Sequence, residues 1–244
     1  YAKDDILSMT DSVLYFAQAT GASLADASSM TGAALRMFEQ DTTKTQEFVD
    51  KLAASTTKSA LSFSALDTSL SQVAPVANAF GFNIEDVLAL LGQLANAGFD
   101  ASSAANATKN ILLNLADANG KLAKAIGHPV TNLEELVQGL KDLDKSGVDL
   151  AASLELTDKE SVAAFQTFLK GADDVNALKN ALNDCTGTAE EMSKVMGDNL
   201  DGDIKSLGSA WDDFMIEINN GQGILRDIVQ WLTEVIREIA NAYK

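Results

Sequence analysis

Glycine and proline punctuation constrains this chain more than any other feature. Sixteen glycines fall mostly where one apolar pattern of helical period stops and the next begins, and proline occurs only at Pro75 and Pro129. Glycine lacks a Cβ and closes helices in the left-handed conformation without steric cost, so the pattern predicts many short helices. The spacing places them at 3–19, 23–39, 43–59, 62–80, 83–97, 100–118, 120–126, 131–145, 157–170, 172–184, 188–196 and 201–219, then 223–243. No run of alternating β-branched residues is bounded by hairpin turns, so no substantial sheet is expected. Residues 148–156, VDLAASLEL, are the one stretch that reads as a short extended segment.

Several starts carry the spacing of a capping box: Thr43 with Gln46, Thr131 with Glu134, Thr157 with Glu160, and Thr188 with Glu191. In that arrangement a hydroxyl accepts a backbone N–H and the acid or amide reaches back, and each cap stabilises by about 1 kcal/mol. Aromatic residues are only 6% of the chain, so small aliphatic side chains must fill the core, which favours closely packed helices. The expected fold class is all-α: many short capped helices in a compact array, followed by longer amphipathic helices. Residues 1–60 read as N-terminal helical hairpins, 61–200 as a helical core, and 201–244 as heptad-patterned helices leading out of the segment. Because the chain starts at Tyr1 and stops within a helical pattern at Lys244, it reads as a slice of a longer protein.

A weak internal repeat runs at an offset of 60 residues. Ala17, Ala19, Gly21, Ser23, Leu24 and Asp26 align with Ala77, Ala79, Gly81, Asn83, Ile84 and Asp86, and a fainter echo begins at Ala125 and Gly127. Either a helical hairpin is duplicated and stacked, or this is the general grammar of a glycine-terminated helix followed by a capped one.

The last residues differ in pattern. Ile204, Leu207, Trp211, Phe214 and Ile218 follow 3-4-3-4 spacing, as do Leu225, Ile228, Leu232, Val235 and Ile239, and both runs share one heptad register. They form a candidate self-association seam of coiled-coil type, interrupted at Asn219, Asn220, Gly221 and Gly223, where a break or hinge is expected. The competing reading is two amphipathic helices folded onto the domain.

Reactive groups are sparse. A formal charge of −17 repels phosphate backbones and anionic lipid headgroups, so direct nucleic-acid binding is not expected. No stretch approaches the ~20 apolar residues of a membrane span, and YAKDD lacks the order of a signal peptide, giving the expectation of a soluble segment. The single Cys185 precludes an internal disulfide and reads as a small buried residue. His128, the only histidine, sits in a Gly127-His128-Pro129 turn and reads as a solvent-facing loop residue; it could meet Cys185 only through the tertiary fold. In the acidic run Asp198-Asn199-Leu200-Asp201-Gly202-Asp203, putting Gly202 at the glycine of a calcium loop leaves Gly197 and Gly208 at the first and last ligand positions, so the match fails. Adjacent acids such as Glu134 and Glu135, Asp173 and Asp174, or Asp212 and Asp213 splay around a helix and cannot flank a bond. No catalytic residue, cofactor or metal site is assigned.

Residues 62–119 resemble the core of phage tail tape measure proteins. The resemblance is carried by the alanine-rich helix ending before Gly81, the Asn83-Ile84-Glu85-Asp86 start, the Leu-Leu-Gly-Gln-Leu run to Gly98, and the small-residue helix after it. Later blocks follow in order: Phe165-Gln166 to Phe168, Asp173 to Leu178, Gly187 to Met192, and Asp198 to Ile204. The resemblance implies a structural, non-enzymatic protein of the virion tail, made in the host cytoplasm. It would sit within the tail tube or at the tail tip, help to set tail length and assemble the tail, and meet other copies of itself as well as tail tube, tail assembly chaperone and tail-tip proteins. An acidic helical protein-binding module is the alternative, and an enzyme built from scattered acids and Cys185 the third.

Overall fold

In the computed structural model, residues 3–198 are described, and among them every regular element is helical. In order they are α1 (Lys3–Thr20), α2 (Leu24–Met37), a 3-10 turn (Thr42–Lys44), α3 (Thr45–Lys58), α4 (Phe63–Ala79), α5 (Ile84–Asn96) and α6 (Ala101–Ala116). There follow α7 (Lys121–Ile126), α8 (Leu133–Lys145), α9 (Leu150–Leu156), α10 (Val162–Lys170), α11 (Ala172–Asn183) and α12 (Thr188–Gly197). Residues through Met196 make up one compact unit.

The core is organised around α5. Ile84, Val87, Leu88, Ala89, Leu90, Leu91 and Leu94 are all buried, so apolar side chains occupy every side of this helix. A helix of that kind can only be an interior one, and α5 packs against α3, α4, α6, α10 and α11. Burying each of its leucines contributes about 2 kcal/mol. Around it, α4 and α6 make the most extensive helix pair; α4 buries Leu66, Ser69, Leu70, Val73, Ala74 and Ala77, and α6 buries Ala104, Ala105, Ala107 and Thr108 besides larger residues. Small residues let the two backbones approach closely, which is how a core poor in aromatics reaches native packing density. All the buried apolar residues from Met9 to Ala189 except Ala19 and Ala123 form one continuous cluster.

The offset-60 pattern has a structural counterpart. Gly21 (φ +69°) follows α1 and Gly81 (φ +87°) follows α4, both left-handed, and a polar residue then starts the next helix. Ser23 accepts the Asp26 N–H at 3.1 Å; at the corresponding place Asp86 Oδ2 accepts the Asn83 N–H at 3.0 Å. The correspondence reaches the third helix of each set, since α1 packs on α3 as α4 packs on α6. The sets differ in burial: α2 keeps an exposed face, whereas α5 lies inside.

Several local expectations are corrected. Residues 150–156 are helical, started by Asp149, whose carboxylate accepts the Ala152 N–H at 2.9 Å; the segment is too short for helical period to declare itself. The helix expected from 157 begins only at Val162. Thr157 instead ends α9 with its hydroxyl on the Ser153 carbonyl, and Asp158 accepts the Glu160 and Ser161 N–H groups. Asn132, one residue beyond the expected Thr131, caps α8 by accepting the Glu135 N–H at 2.8 Å, while Glu135 reaches back to the Thr131 N–H. Asp41 holds the turn before α3, and Gln46 is directed to Ser12 and Asp50. Asp and Asn outcompete the neighbouring threonines as caps because their acceptors reach the N2 and N3 amides with less rotamer restriction. The expected helices and seam over 201–244 lie outside the described residues.

The two repeat glycines make a graded test. A Cβ at Gly21 would meet nothing within 4 Å, whereas one at Gly81 would stand 2.9 Å from the Thr131 carbonyl oxygen. Gly21→Ala is expected to cost only the left-handed strain, about 1 kcal/mol. Gly81→Ala adds a backbone clash, so its urea midpoint should fall further; equal midpoints would contradict the packing of that turn on the α7–α8 connection.

Candidate functional site: a charge network at the buried helix

The polar end of α5 enters the core, and two lysines from other helices meet it there. Lys51 of α3 donates to Glu47 Oε1 one turn back (2.7 Å) and to Glu85 Oε2 in the first turn of α5 (2.9 Å). Lys179 of α11 lies 2.9 Å from Asp86 Oδ1 and also hydrogen-bonds Glu134 Oε1 of α8. Asp86 is 1% exposed, and the side chains of Lys51 and Lys179 only 9% and 11%. Burying charge is costly unless each ion finds a partner. Here the adjacent acids of α5 also sit at the positive end of its helix dipole, so one helix start ties α3, α8 and α11 together.

The proton affinities follow from these contacts. Burial alone would weaken the hold of Lys51 on its proton, but hydrogen bonds to Glu47 and Glu85 outweigh it, and the pKa lies above the ordinary lysine value. Lys179 is raised in the same way, burial being overcome by Asp86 and Glu134. Burial pushes Asp86 up, with the Lys179 ammonium and the Asn83 N–H pulling back. Glu47 and Glu134 are lowered, each chiefly by a hydrogen bond from its lysine.

Beside this network, Asp50 performs a cap at long range. Its carboxylate, 2% exposed, accepts the Gly187 N–H at 2.8 Å and the Ala189 N–H at 2.9 Å, closing the start of α12 from a helix 137 residues earlier. This replaces the Thr188–Glu191 box that the sequence suggests. Asp50, Lys51, Glu85 and Cys185 together line a cavity of about 660 Å³. Cys185 is buried and its Sγ donates to the Leu182 carbonyl at 2.9 Å. Burial first, and the Asp50 charge second, push the thiol up to about 11, which keeps it protonated and weakly nucleophilic at neutral pH.

The structure does not bring Cys185 and His128 into one cavity. His128 is exposed in its turn, Nδ1 2.8 Å from the Pro129 carbonyl oxygen, and lines a separate groove with Glu134, Glu135 and Asp142. The adjacent acids diverge as their helical positions require: Glu134 turns to Lys179 and Glu135 to the Thr131 N–H, while Asp173 pairs with Lys141. Asp212, Asp213, residues 199–203 of the acidic run and the ten seam residues lie outside the described residues. Sequence reasoning missed the lysines. The available signal was position: Lys179 falls between Val175 and Leu182 on the apolar stripe of α11, and Asp50-Lys51 interrupts the run Phe48, Val49, Leu52, Ala53.

Among the described residues, the buried charges are engaged with one another or with helix ends, and the thiol is held in its inert form. Such a site holds helices together, and the fold is that of an all-helical protein whose buried charges serve its packing. The chain belongs to the phage-related minor tail protein family, whose model matches residues 1–169. It is 24% identical over 258 residues to the tape measure protein of Pneumococcus phage Dp-1, covering 98% of this chain and 22% of the relative. It is also 24% identical over 220 residues to the probable tape measure protein of Escherichia phage P2, covering 83% of this chain and 27% of that one. The chain thus spans about a quarter of the length of these relatives. No solved structure matches it. It is a structural component of a phage tail.

Removing one lysine strands a buried acid. Lys179→Met is expected to cost on the order of 3 kcal/mol by leaving Asp86 unpaired, and adding Asp86→Asn should recover part of that loss; a double variant no more stable than the single one would contradict the pairing. The pH dependence has a defined sign. The lysines have raised folded-state values, so their stabilisation is complete below the ordinary value of 10.5 and is lost as pH rises through the folded values. Glu47 and Glu134 are lowered, so their contribution is present above 4.5 and is lost as pH falls through the folded values. Asp86, raised, acts oppositely and loses its burial cost on acidification. Urea midpoints measured against pH should fall at the alkaline end for the native chain and fall less for Lys179→Met.

Proposed function

We propose that this chain is the folded segment of a tape measure protein, which helps to set tail length and to assemble the tail, lying within the tail tube or at its tip. The observation that carries the reading is the family match across residues 1–169 together with two tape measure relatives aligned over most of the chain. Its partners on this reading are other copies of itself and the tail tube, tail assembly chaperone and tail-tip proteins. The array of short reversing helices supports a role as anchor or bulky stop. Drawn out as one helix, residues 3–198 would span about 290 Å at 1.5 Å per residue, whereas a compact domain of that size has a radius of gyration of about 16 Å.

Two measurements test this. Electron microscopy of virions labelled with an antibody against this segment should give signal confined to tails; signal on capsids, or none on intact and opened virions alike, would remove the reading. Deleting residues 3–198 from the parent protein should abolish tail assembly or leave tail length nearly unchanged. Tails shortened by about 290 Å would instead mean that the segment is read out as extended helix.

The seam Ile204, Leu207, Trp211, Phe214, Ile218, Leu225, Ile228, Leu232, Val235 and Ile239 is proposed to pair copies of the chain, supported by its shared heptad register. Sedimentation of this chain extended past Lys244 should give an oligomer that Leu207→Asp with Ile228→Asp reduces to monomer. A strictly monomeric parent at tens of micromolar would rule self-pairing out.

A further inference from the structure

We infer that the segment Cys185–Gly197 is a detachable strap whose latch is Asp50. Two observations bear on this independently. The body of α12 buries little: within Thr188–Gly197 only Ala189 and Ser193 are buried, while Val195 is 70% exposed. A ten-residue helix is too short to be stable alone in water, so α12 depends on the few side chains it docks, Ala189, Met192 and Ser193, and on what holds its first turn. That hold is the Asp50 carboxylate, which takes the N–H of Gly187 with one oxygen and the N–H of Ala189 with the other. The Asp50 side chain is itself positioned from α3 by Gln46, whose Nε2 donates to Oδ2 at 3.1 Å.

The consequence of release is local. The two amides and the carboxylate gain water when they part, and the apolar surface exposed is that of Cys185, Ala189 and the partly buried Met192 together with the core atoms they cover. The leucines of α5 and the α4–α6 pair keep their contacts. Opening should therefore occur from the folded state, well below the free energy of global unfolding, as a cooperative sub-unit of the fold. α12 is also the last helix before the division of the chain after Met196.

The lone thiol reports the event without any added probe. Cys185 is 6% exposed and sits in the hinge of the strap. In the native chain, labelling of Cys185 by a maleimide or disulfide reagent is expected to proceed at a rate insensitive to low urea, faster than global unfolding permits. Asp50→Asn keeps the shape but turns one acceptor into a donor facing an N–H, and should speed labelling at least tenfold. Amide exchange should accelerate in 187–197 and stay unchanged in α4, α5 and α6. The inference is overturned if native Cys185 reacts only with the urea dependence of global unfolding. It is equally overturned if Asp50→Asn leaves the rate unaltered, or accelerates exchange in α5 by the same factor as in α12. Because the native measurement needs no substitution, it decides the matter even where the variant fails to fold.

Discussion

A helix that is apolar on every side must be covered on every side, and α5 imposes that requirement on its surroundings. Five helices cover it, drawn from both before and after it in the chain. Its C-terminal part buries without difficulty because the backbone polar groups are satisfied along the helix. Its first turn is harder, since the amides there lack intrahelical partners and Glu85 and Asp86 bring charge. The chain meets this with Lys51 and Lys179, each shared between one acid of α5 and one acid of another helix. The sharing leaves each buried ammonium with two anionic partners, which is why both lysines hold their protons more firmly in spite of burial.

The same economy of small parts runs through the packing. With few large rings available, close approach has to come from glycine, alanine and serine. Gly92 on α5 is an example, for a Cβ there would lie 3.0 Å from the Ser59 Cβ, at the end of α3. Gly139 plays a like part on α8, where a Cβ would press on Ile126 at 2.7 Å. Neither glycine has the left-handed backbone of the turn glycines; both are selected by the neighbour across the interface. Punctuation and packing are thus two separate uses of one residue type, and only the first can be read along the sequence.

That distinction explains what was legible. Helix existence and most boundaries follow from local grammar: apolar period, a left-handed glycine, a polar first residue. Gly21 with Ser23 and Gly81 with Asn83 state it openly, and the all-α class follows. Caps were legible only where the acceptor is local and unambiguous, as at Ser23; at α8 the choice between Thr131 and Asn132 depends on where the chain leaves the preceding turn. At α12 it could not be read at all, because the acceptor is Asp50, on α3. The charge network was hidden for the same reason. A lysine on an apolar stripe is locally an anomaly, and only the fold supplies Asp86 and Glu134 to resolve it.

The physical logic of a ruler sharpens the contrast between the described unit and a rod. A helix measures distance only while it continues, because each residue then adds the same rise. Gly21, Gly81, Gly98, Gly127, Gly147 and Gly187 all adopt positive φ at or beyond helix ends, and each forfeits that proportionality by redirecting the chain. What is gained is a surface held in one shape by long-range contacts, including a carboxylate that reaches across 137 residues to start the last of the described helices. Length and shape are competing uses of the same helical backbone, and residues 3–198 are committed to shape. The charge network at the start of α5 holds that shape by tying α3, α8 and α11 to the interior helix.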